Sequence, residues 1–95
     1  MRIVIVGGGK LGRQLARNML ERKNEVHLVE KTRGLCKALA NELQIEVICG
    51  DGTEIEVLER AHTKGCDCFL AVGGTDQDNL VACQLAKMMF PVKKT

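Results

Sequence analysis

The chain has 95 residues, of which 45% are hydrophobic and 27% charged, which is the composition of one small folded domain rather than of a disordered or membrane-spanning segment. Fourteen Lys and Arg against twelve Asp and Glu leave a net charge of +2, and there is no Tyr or Trp. The weak charge and the missing aromatic platforms disfavour nucleic-acid and carbohydrate binding. We therefore expect a single domain over residues 1–95 with no nucleic-acid partner.

Short apolar runs alternate with helical patterns along the chain. Arg2–Val6 is a continuous β-branched run, typical of a strand that is buried on both faces of a parallel sheet. Leu11, Leu15 and Met19 then recur at helical spacing and predict a helix over residues 10–22, with these side chains forming its apolar stripe.

The middle of the chain continues the same alternation. We predict a second strand over Glu25–Glu30, a helix over residues 32–43 and a short third strand over residues 46–49. A brief helix over residues 55–61 follows, and Gly65 is suited to a left-handed cap at its C-terminal end.

A fourth strand over residues 66–72 and a helix over Asp76–Met89 complete the pattern, with Thr75 and Asp78 resembling a capping box. Alternating strands and helices joined by tight connections predict right-handed crossovers and a Rossmann-like parallel α/β sheet with helices on both faces. With the first strand in the centre, the strand order is 3-2-1-4. Ligands bind at the carboxyl ends of such strands, where the order reverses.

Five cysteines lie in a chain whose first residues lead straight into a strand, with no signal peptide. We therefore expect reduced thiols in a cytoplasmic protein, serving as small core residues rather than as metal ligands. Cys66 and Cys68 lie two positions apart on the predicted fourth strand, and we expect their side chains on opposite sides of the sheet. The remaining three, Cys36, Cys49 and Cys83, are expected in the core.

The turn after the first strand carries the G-x-G-x-x-G pattern of dinucleotide-binding folds. Its residues are Gly7, Gly8, Gly9, Lys10, Leu11 and Gly12. Gly7 would make the tight turn, Gly9 would let the backbone approach a pyrophosphate, and Gly12 would let the helix lie close to the sheet. The phosphates would meet backbone N–H groups at the positive end of the helix. An ordinary glycine-rich turn is the alternative.

An acidic residue stands where this fold needs one. Glu30 ends the second strand, and its carboxylate is placed to accept hydrogen bonds from both hydroxyls of an adenosine ribose and to repel a 2′-phosphate. Lys31 and Arg33 follow and would weaken that discrimination against NADP. The alternative for Glu30 is a solvated charge at a strand end.

Two further loops are predicted at the same edge of the sheet. The loop after the third strand contains Asp51, Gly52 and Thr53. The loop after the fourth strand contains Gly73, Gly74 and Thr75. Each loop taken alone is also compatible with an ordinary strand-to-helix turn and N-cap. Three such loops at one crevice favour a nucleotide site.

Residues for catalysis are missing from this predicted crevice. The chain has no tyrosine, which excludes the Tyr-x-x-x-Lys chemistry of short-chain dehydrogenases. His27 lies inside the second strand and His62 near the end of the third helix, both away from the crevice, so we interpret them as surface or packing residues. The sequence predicts a binding domain and not an enzyme.

Together these segments resemble a known family. Three segments are similar to the N-terminal RCK or KTN domain of TrkA-type potassium uptake regulators. They are the G-G-G-K-L-G turn with Glu30, the V-I-C-G-D-G-T stretch of residues 47–53 and the D-C-F-L-A-V-G-G-T-D-Q-D-N-L-V-A-C-Q-L-A-K stretch of residues 67–87. The resemblance covers almost the whole chain. It implies a cytosolic domain that binds NAD or NADH, or in some members ATP or ADP, and that gates a membrane potassium transporter or channel subunit from the inner face of the membrane.

The resemblance also assigns roles by position. Gly7 to Gly12 would hold the phosphates, Glu30 the ribose, Asp51 to Thr53 the adenine, and Gly73 to Thr75 the distal part of the ligand. Domains of this family continue into further strands and homo-oligomerise, so we expect the sheet here to be truncated before a fifth strand at residues 90–95. The fourth strand would then have an unpaired edge.

Three functions stay open on sequence grounds. The first is a regulatory nucleotide-binding module for potassium transport, in which a ligand shifts the domain between conformations. The second is a cofactor-binding fragment of an NAD-dependent oxidoreductase. The third is a purely structural α/β scaffold.

Overall fold

The computed structural model describes residues 1–90 and 93–95. In this part of the chain, strands and helices alternate from end to end, as the apolar patterning predicts. In chain order the elements are β1 (Arg2–Val6), α1 (Lys10–Glu21), β2 (Glu25–Glu30), α2 (Arg33–Leu43), β3 (Val47–Cys49), α3 (Ile55–Arg60), β4 (Cys68–Ala71) and α4 (Asp76–Met89).

The four strands form one parallel sheet with the order β3-β2-β1-β4. β1 lies in the centre, where Ile3 is in register with Val26 of β2 on one side and with Cys68 of β4 on the other. The predicted strand order is confirmed. The order reverses between β1 and β4, so the crevice expected at their carboxyl ends is present in the topology.

Each face of the sheet packs against two helices. α1 and α2 cover one face, where Ala16 and Leu39 are buried with Ile3, Ile5 and Leu28. α3 and α4 cover the other face through a second buried cluster that includes Val4, Val29, Leu58, Phe69 and Ala86. Burial on both sides explains why β1 is apolar without alternation.

Cys66 and Cys68 contact opposite faces of the sheet, as expected, but strand alternation is not the reason, because residues two apart in one strand share a face. Cys66 belongs to the cluster under α3 and α4, whereas Cys68 packs against the cluster under α1 and α2. Cys66 precedes β4 rather than lying within it.

The end of α3 differs from the prediction. His62, with φ of 59°, takes the left-handed position after the helix, and Gly65, with φ of 75°, lies in the following turn. The Thr63 N–H donates to the Leu58 carbonyl at 3.3 Å, and the His62 N–H donates to the Glu59 carbonyl at 3.1 Å. These two bonds form the cap that we had assigned to Gly65, because the helix ends one turn earlier.

Two predicted core residues lie at the surface. Leu11 is 59% exposed, because α1 turns Gly12 and Ala16 towards the sheet instead. Cys49 is also exposed. It ends β3, which is the short edge strand of the sheet and has a neighbouring strand on one side only.

The outer edge of β4 was expected to be unpaired, and this is wrong in part. β4 is the edge strand, but the Lys93 N–H donates to the Cys66 carbonyl at 3.1 Å, and the Phe69 N–H donates to the Lys94 carbonyl at 2.7 Å. The Lys93 ammonium also pairs with Asp67 at 2.7 Å. The predicted start of a fifth strand at residues 90–95 includes residues 91–92, which lie outside the described residues.

Candidate functional site

A crevice of about 450 Å³ opens at the carboxyl ends of the strands. This volume falls within the usual range for small-molecule sites. Eleven of the residues predicted to bind a nucleotide line it: Gly7, Gly9, Lys10, Leu11, Glu30, Lys31, Asp51, Gly52, Thr53, Gly73 and Gly74. The three loops singled out in the sequence therefore meet around one cavity.

The other three predicted residues do not line the crevice but lie next to it. Gly8 donates its backbone N–H to the Glu30 carboxylate at 2.7 Å. Gly12 is buried in the first turn of α1. Thr75 is the N-cap of α4, and its hydroxyl accepts the Asp78 N–H at 3.2 Å. Their positions indicate support of the loops rather than direct contact with a ligand.

Gly7 and Gly12 are required by close backbone approach. Gly7 has φ of 114°, and a Cβ on it would lie 2.7 Å from the Gly73 nitrogen. A Cβ on Gly12 would overlap the Gly7 carbonyl. The motif thus brings α1, the first turn and the β4–α4 loop together in the way that only glycine permits.

The start of α1 faces the crevice, and Lys10 and the helix dipole make it electropositive. Gly9 is the N-cap and supplies no side chain, and the first turn of α1 contains no acidic residue. A Cβ on Gly9 would have no atom within 4 Å, so the space above this backbone is open. Free N–H groups, the helix dipole and Lys10 together suit an anion such as a phosphate.

Glu30 is fixed as a carboxylate at the end of β2. Its Oε1 accepts the Gly8 N–H at 2.7 Å, and its Oε2 accepts the Thr32 N–H at 2.9 Å. Partial burial acts to raise the pKa of Glu30, but the N–H groups of Thr32 and Gly8 outweigh it, and the pKa is lowered. Each oxygen keeps a further lone pair that can accept a ligand hydroxyl.

The loop after β3 is closed by its own side chains. Asp51 Oδ1 accepts the Thr53 N–H at 2.9 Å and the Thr53 hydroxyl at 2.7 Å. These two bonds hold the pKa of Asp51 below its usual value, and the charge of Lys31 acts in the same direction. Asp51 therefore shapes the loop and also lines the crevice.

Asn79 is a site residue for which the sequence analysis had no role. Its Oδ1 accepts the Gly73 N–H at 2.7 Å, and its Nδ2 donates to the Gly73 carbonyl at 3.3 Å. The neighbouring Asp78 forms an exposed ion pair with Lys31 at 3.7 Å across the mouth of the crevice. Asn79 belongs to the T-D-x-D-N-L stretch that the sequence analysis singled out. Its hydrogen bonds with Gly73 could not be predicted, because they depend on how the loop folds back on its own helix.

The remaining lining residues were also not predicted. They are strand ends and nearby turn or helix positions: Val6, Val29, Thr32, Leu35, Gly50 and Val72. Residues that directly flank the glycine and acidic motifs at the carboxyl ends of parallel strands could have been inferred from the topology alone.

The histidines lie elsewhere. His27 and His62 pack against each other with ring centroids 5.0 Å apart, and neither lines the crevice. Among residues 1–90 and 93–95, no group of three or more His, Cys, Asp or Glu side chains is arranged to hold a metal ion. In the same part of the chain, none of the helices is both long enough and apolar enough to cross a bilayer.

The fold and the crevice define this chain as a Rossmann-like α/β domain. A sequence model of the TrkA-N domain matches residues 3–95, and the chain belongs to that family. It is 41% identical over 87 residues to a protein from Methanothermobacter thermautotrophicus named Trk system potassium uptake protein TrkA homolog. It is 31% identical over 90 residues to the Trk system potassium uptake protein TrkA of Vibrio alginolyticus.

The matches cover nearly all of this chain but only part of the relatives. The match to the Methanothermobacter protein covers 92% of this chain and 40% of that protein. The match to the Vibrio protein covers 95% of this chain and 20% of that protein. Among solved structures, the TrkA-N domain of the inner membrane protein ybaL from Escherichia coli superposes with a TM-score of 0.85 at 17% identity, covering 95% of this chain and 66% of the other. That similarity supports the fold.

Proposed function

We propose that this chain is the regulatory nucleotide-binding module of a cytoplasmic potassium uptake system. NAD or NADH is the proposed ligand, with ATP or ADP as the alternative. The observation that carries the proposal is the convergence of the glycine turn, Glu30 and the Asp51–Thr53 loop on one crevice. The names of the TrkA relatives supply the connection to potassium transport.

The proposed ligand pose follows the chemistry of the lining. The pyrophosphate lies over Gly7, Gly9 and the start of α1, where backbone N–H groups and Lys10 offset its charge. The adenosine ribose donates its hydroxyls to Glu30, and the adenine lies by the loop after β3. The β4–α4 loop at Gly73 then contacts the distal part of the ligand.

In the proposed role, binding biases the domain between two conformations and so acts on a membrane transporter or channel subunit. The chain would work at the inner face of the membrane through that partner and as a homo-oligomer in the complete protein. No nucleic acid and no catalytic reaction enter this proposal. The competing possibility is the cofactor-binding part of an oxidoreductase, and no observation on the crevice favours it.

Isothermal titration calorimetry tests the proposal with NADH, NAD, ADP and ATP, each titrated into the 95-residue chain. We expect at least one of them to bind with a Kd below about 1 mM. If all four bind more weakly than that, the site is not a nucleotide site and the proposal is wrong. A preference for NADH over ATP would select the dinucleotide.

A further inference from the structure

Two cysteines, Cys36 and Cys49, lie beside the main chain of Glu30. Cys49 is the register partner of Glu30 in the ladder between β2 and β3. The thiol of Cys36 donates to the Glu30 main-chain carbonyl, with an Sγ–O distance of 3.0 Å. The same carbonyl accepts the Gly50 N–H at 3.0 Å. Cys36 therefore contacts this carbonyl directly, and Cys49 lies beside the same residue in the neighbouring strand.

The direction of the strand brings their side chains to the same side of the sheet. Ile48 belongs to the cluster under α3 and α4, whereas Val47 packs against the cluster under α1 and α2. Because side chains alternate along a strand, Cys49 shares the side of Val47, which is the side covered by α2 and Cys36. The two thiols are near enough for Cys49 to contribute to the raised pKa of Cys36.

The two thiols differ in their access to solvent. Cys49 is exposed, whereas Cys36 is only 6% exposed. Burial and the neighbouring Cys49 thiol raise the pKa of Cys36 to about 12, so Cys36 keeps its proton at neutral pH. Cys49 is thus the sulfur that a dissolved oxidant reaches first. Cys36 is the neighbouring buried thiol, and it must lose its proton as its sulfur attacks the oxidised Cys49.

We propose that Cys36 and Cys49 are a modification site that forms a reversible disulfide with a peroxide as the oxidant. The Cys49 thiol loses its proton and the thiolate attacks one oxygen of hydrogen peroxide. The O–O bond breaks, the sulfenic acid forms, and the released hydroxide combines with that proton as the first water. The Cys36 sulfur then attacks the Cys49 sulfur, the S–O bond breaks, and a second water leaves with the Cys36 proton. Two thiols are oxidised, and one peroxide is reduced to two waters.

The disulfide changes the adenosine end of the crevice. The Cys36 S–H no longer exists, so the Glu30 carbonyl loses that hydrogen bond. An S–S bond of about 2.05 Å is shorter than any contact between two thiols, so the end of β3 must shift towards α2. Asp51 follows two residues after Cys49, so the shift reaches the loop that lines the crevice.

Nucleotide affinity is therefore expected to be lower in the oxidised chain. This consequence rests on the proposed function, whereas formation of the disulfide does not. A coupling of ordinary size between two sites corresponds to a change of about 5-fold or more in Kd.

Peptide mapping tests the disulfide itself. The chain is oxidised with hydrogen peroxide, alkylated and digested with trypsin, which places Cys36 in residues 34–37, Cys49 in residues 38–60 and the other three cysteines together in residues 65–87. We expect the first two peptides to be linked with the loss of two hydrogens. Cys49→Ser should abolish the link, and Cys83→Ser should leave it unchanged.

A link that joins chains, a link that uses residues 65–87, or the absence of any link would each overturn the proposal. Cys36→Ala provides a second variant, in which a dimedone adduct should form at Cys49; an adduct at another cysteine instead would contradict Cys49 as the first sulfur to react.

The effect on binding is measured with NADH and ATP on the reduced and the oxidised chain. A Kd that rises about 5-fold or more on oxidation and returns on treatment with a dithiol supports the regulatory consequence, and an equal Kd in both states overturns it. If the reduced chain binds neither NADH, NAD, ADP nor ATP, the proposed function fails, while the peptide map still decides the disulfide.

Discussion

At the scale of single residues, the proposed binding of the adenosine ribose depends on Glu30. Both of its carboxylate oxygens already accept a backbone N–H, from Gly8 and Thr32, and this fixes where the charge lies before a ligand arrives. A hydrogen bond to an ionised group contributes more than one between neutral groups. Removing the charge of this carboxylate therefore tests the proposed contact with the ribose.

Glu30→Gln should weaken NADH binding by about tenfold or more, because it removes the charge that the ribose hydroxyls meet. Glu56→Gln is the matched control, since Glu56 is an exposed glutamate in the first turn of α3. Calorimetry with NADH measures both variants. An unchanged Kd for Glu30→Gln would show that the ribose does not lie there.

Asn79→Ala should lower the free energy of unfolding by about 1–3 kcal/mol, because it leaves the N–H and the carbonyl of Gly73 without their partner. Urea denaturation measures the change. Gln77→Ala, at an exposed position of the same helix, is the control and should stay within about 0.5 kcal/mol of the parent. Equal stability of the two variants would contradict the role of Asn79.

Glu30 and Asn79 differ in whether their positions in the crevice could be predicted from the sequence. The position of Glu30 at the crevice could be predicted, because the spacing between the glycine motif and Glu30 places it at the end of the second strand. The role of Asn79 was not, because it depends on the fold of a loop that returns to its own helix. Cys49 was assigned to the core because its neighbours are apolar, and its exposure follows from the edge position of β3.

At the scale of elements, the packing of α1 on the first turn determines the shape of the crevice. Gly12→Ala should destabilise the fold by about 1–3 kcal/mol, because the added Cβ overlaps the Gly7 carbonyl. Gly9→Ala is the matched comparison, since a Cβ there meets open space. It should change stability by no more than about 0.5 kcal/mol and yet weaken nucleotide binding.

Thermal or urea denaturation of both glycine variants gives the stability result, and calorimetry gives the binding result. If Gly12→Ala were as stable as the parent, α1 would not lie against the turn as described. If Gly9→Ala bound NADH as well as the parent, the phosphates would not lie over the start of α1.

The elements differ in how well their ends could be predicted. Both ends of α4 match the prediction, because Thr75 provides a local N-cap signal and the helical pattern is long. The end of α3 was missed because a non-glycine residue, His62, takes the left-handed position. The buried face of α1 was also misassigned, because packing selects Gly12 and Ala16 over the larger Leu11.

At the scale of the whole molecule, acid should destabilise the fold. Four carboxyl groups have a lowered pKa in the folded chain. A hydrogen bond from His27 lowers the pKa of Glu25, and a hydrogen bond from Lys93 lowers the pKa of Asp67. The other two carboxyl groups with a lowered pKa are Glu30 and Asp51. The unfolded chain therefore binds protons more readily than the folded one in acid.

The resulting stability is present above the ordinary pKa values of 4.5 and 3.8 and is lost as the pH falls through the lower folded-state values. Urea unfolding at pH 7, 5 and 3 should show little change over the first step and a marked fall over the second. A free energy of unfolding that is equal at pH 7 and pH 3 would contradict these carboxylate contacts.

The global fold was the part most accessible from sequence. The β-branched runs, the helical spacings and the order of the turns together determine a 3-2-1-4 parallel sheet, and the structure confirms it. The hydrogen bonds that Lys93 and Lys94 make with the edge of β4 were not predicted, because polar residues in a terminal segment carry no strand pattern.

NMR of the ¹⁵N-labelled chain during titration with NADH tests whether a nucleotide binds at the carboxyl ends of the strands. We expect the amide signals of Gly7, Gly9, Lys10, Gly52 and Gly73 to shift together, while those of Met88 and Met89 at the exposed end of α4 stay unchanged. Shifts confined to residues 54–60, or no shifts with NADH, NAD, ADP or ATP at millimolar concentration, would contradict binding at these strand ends.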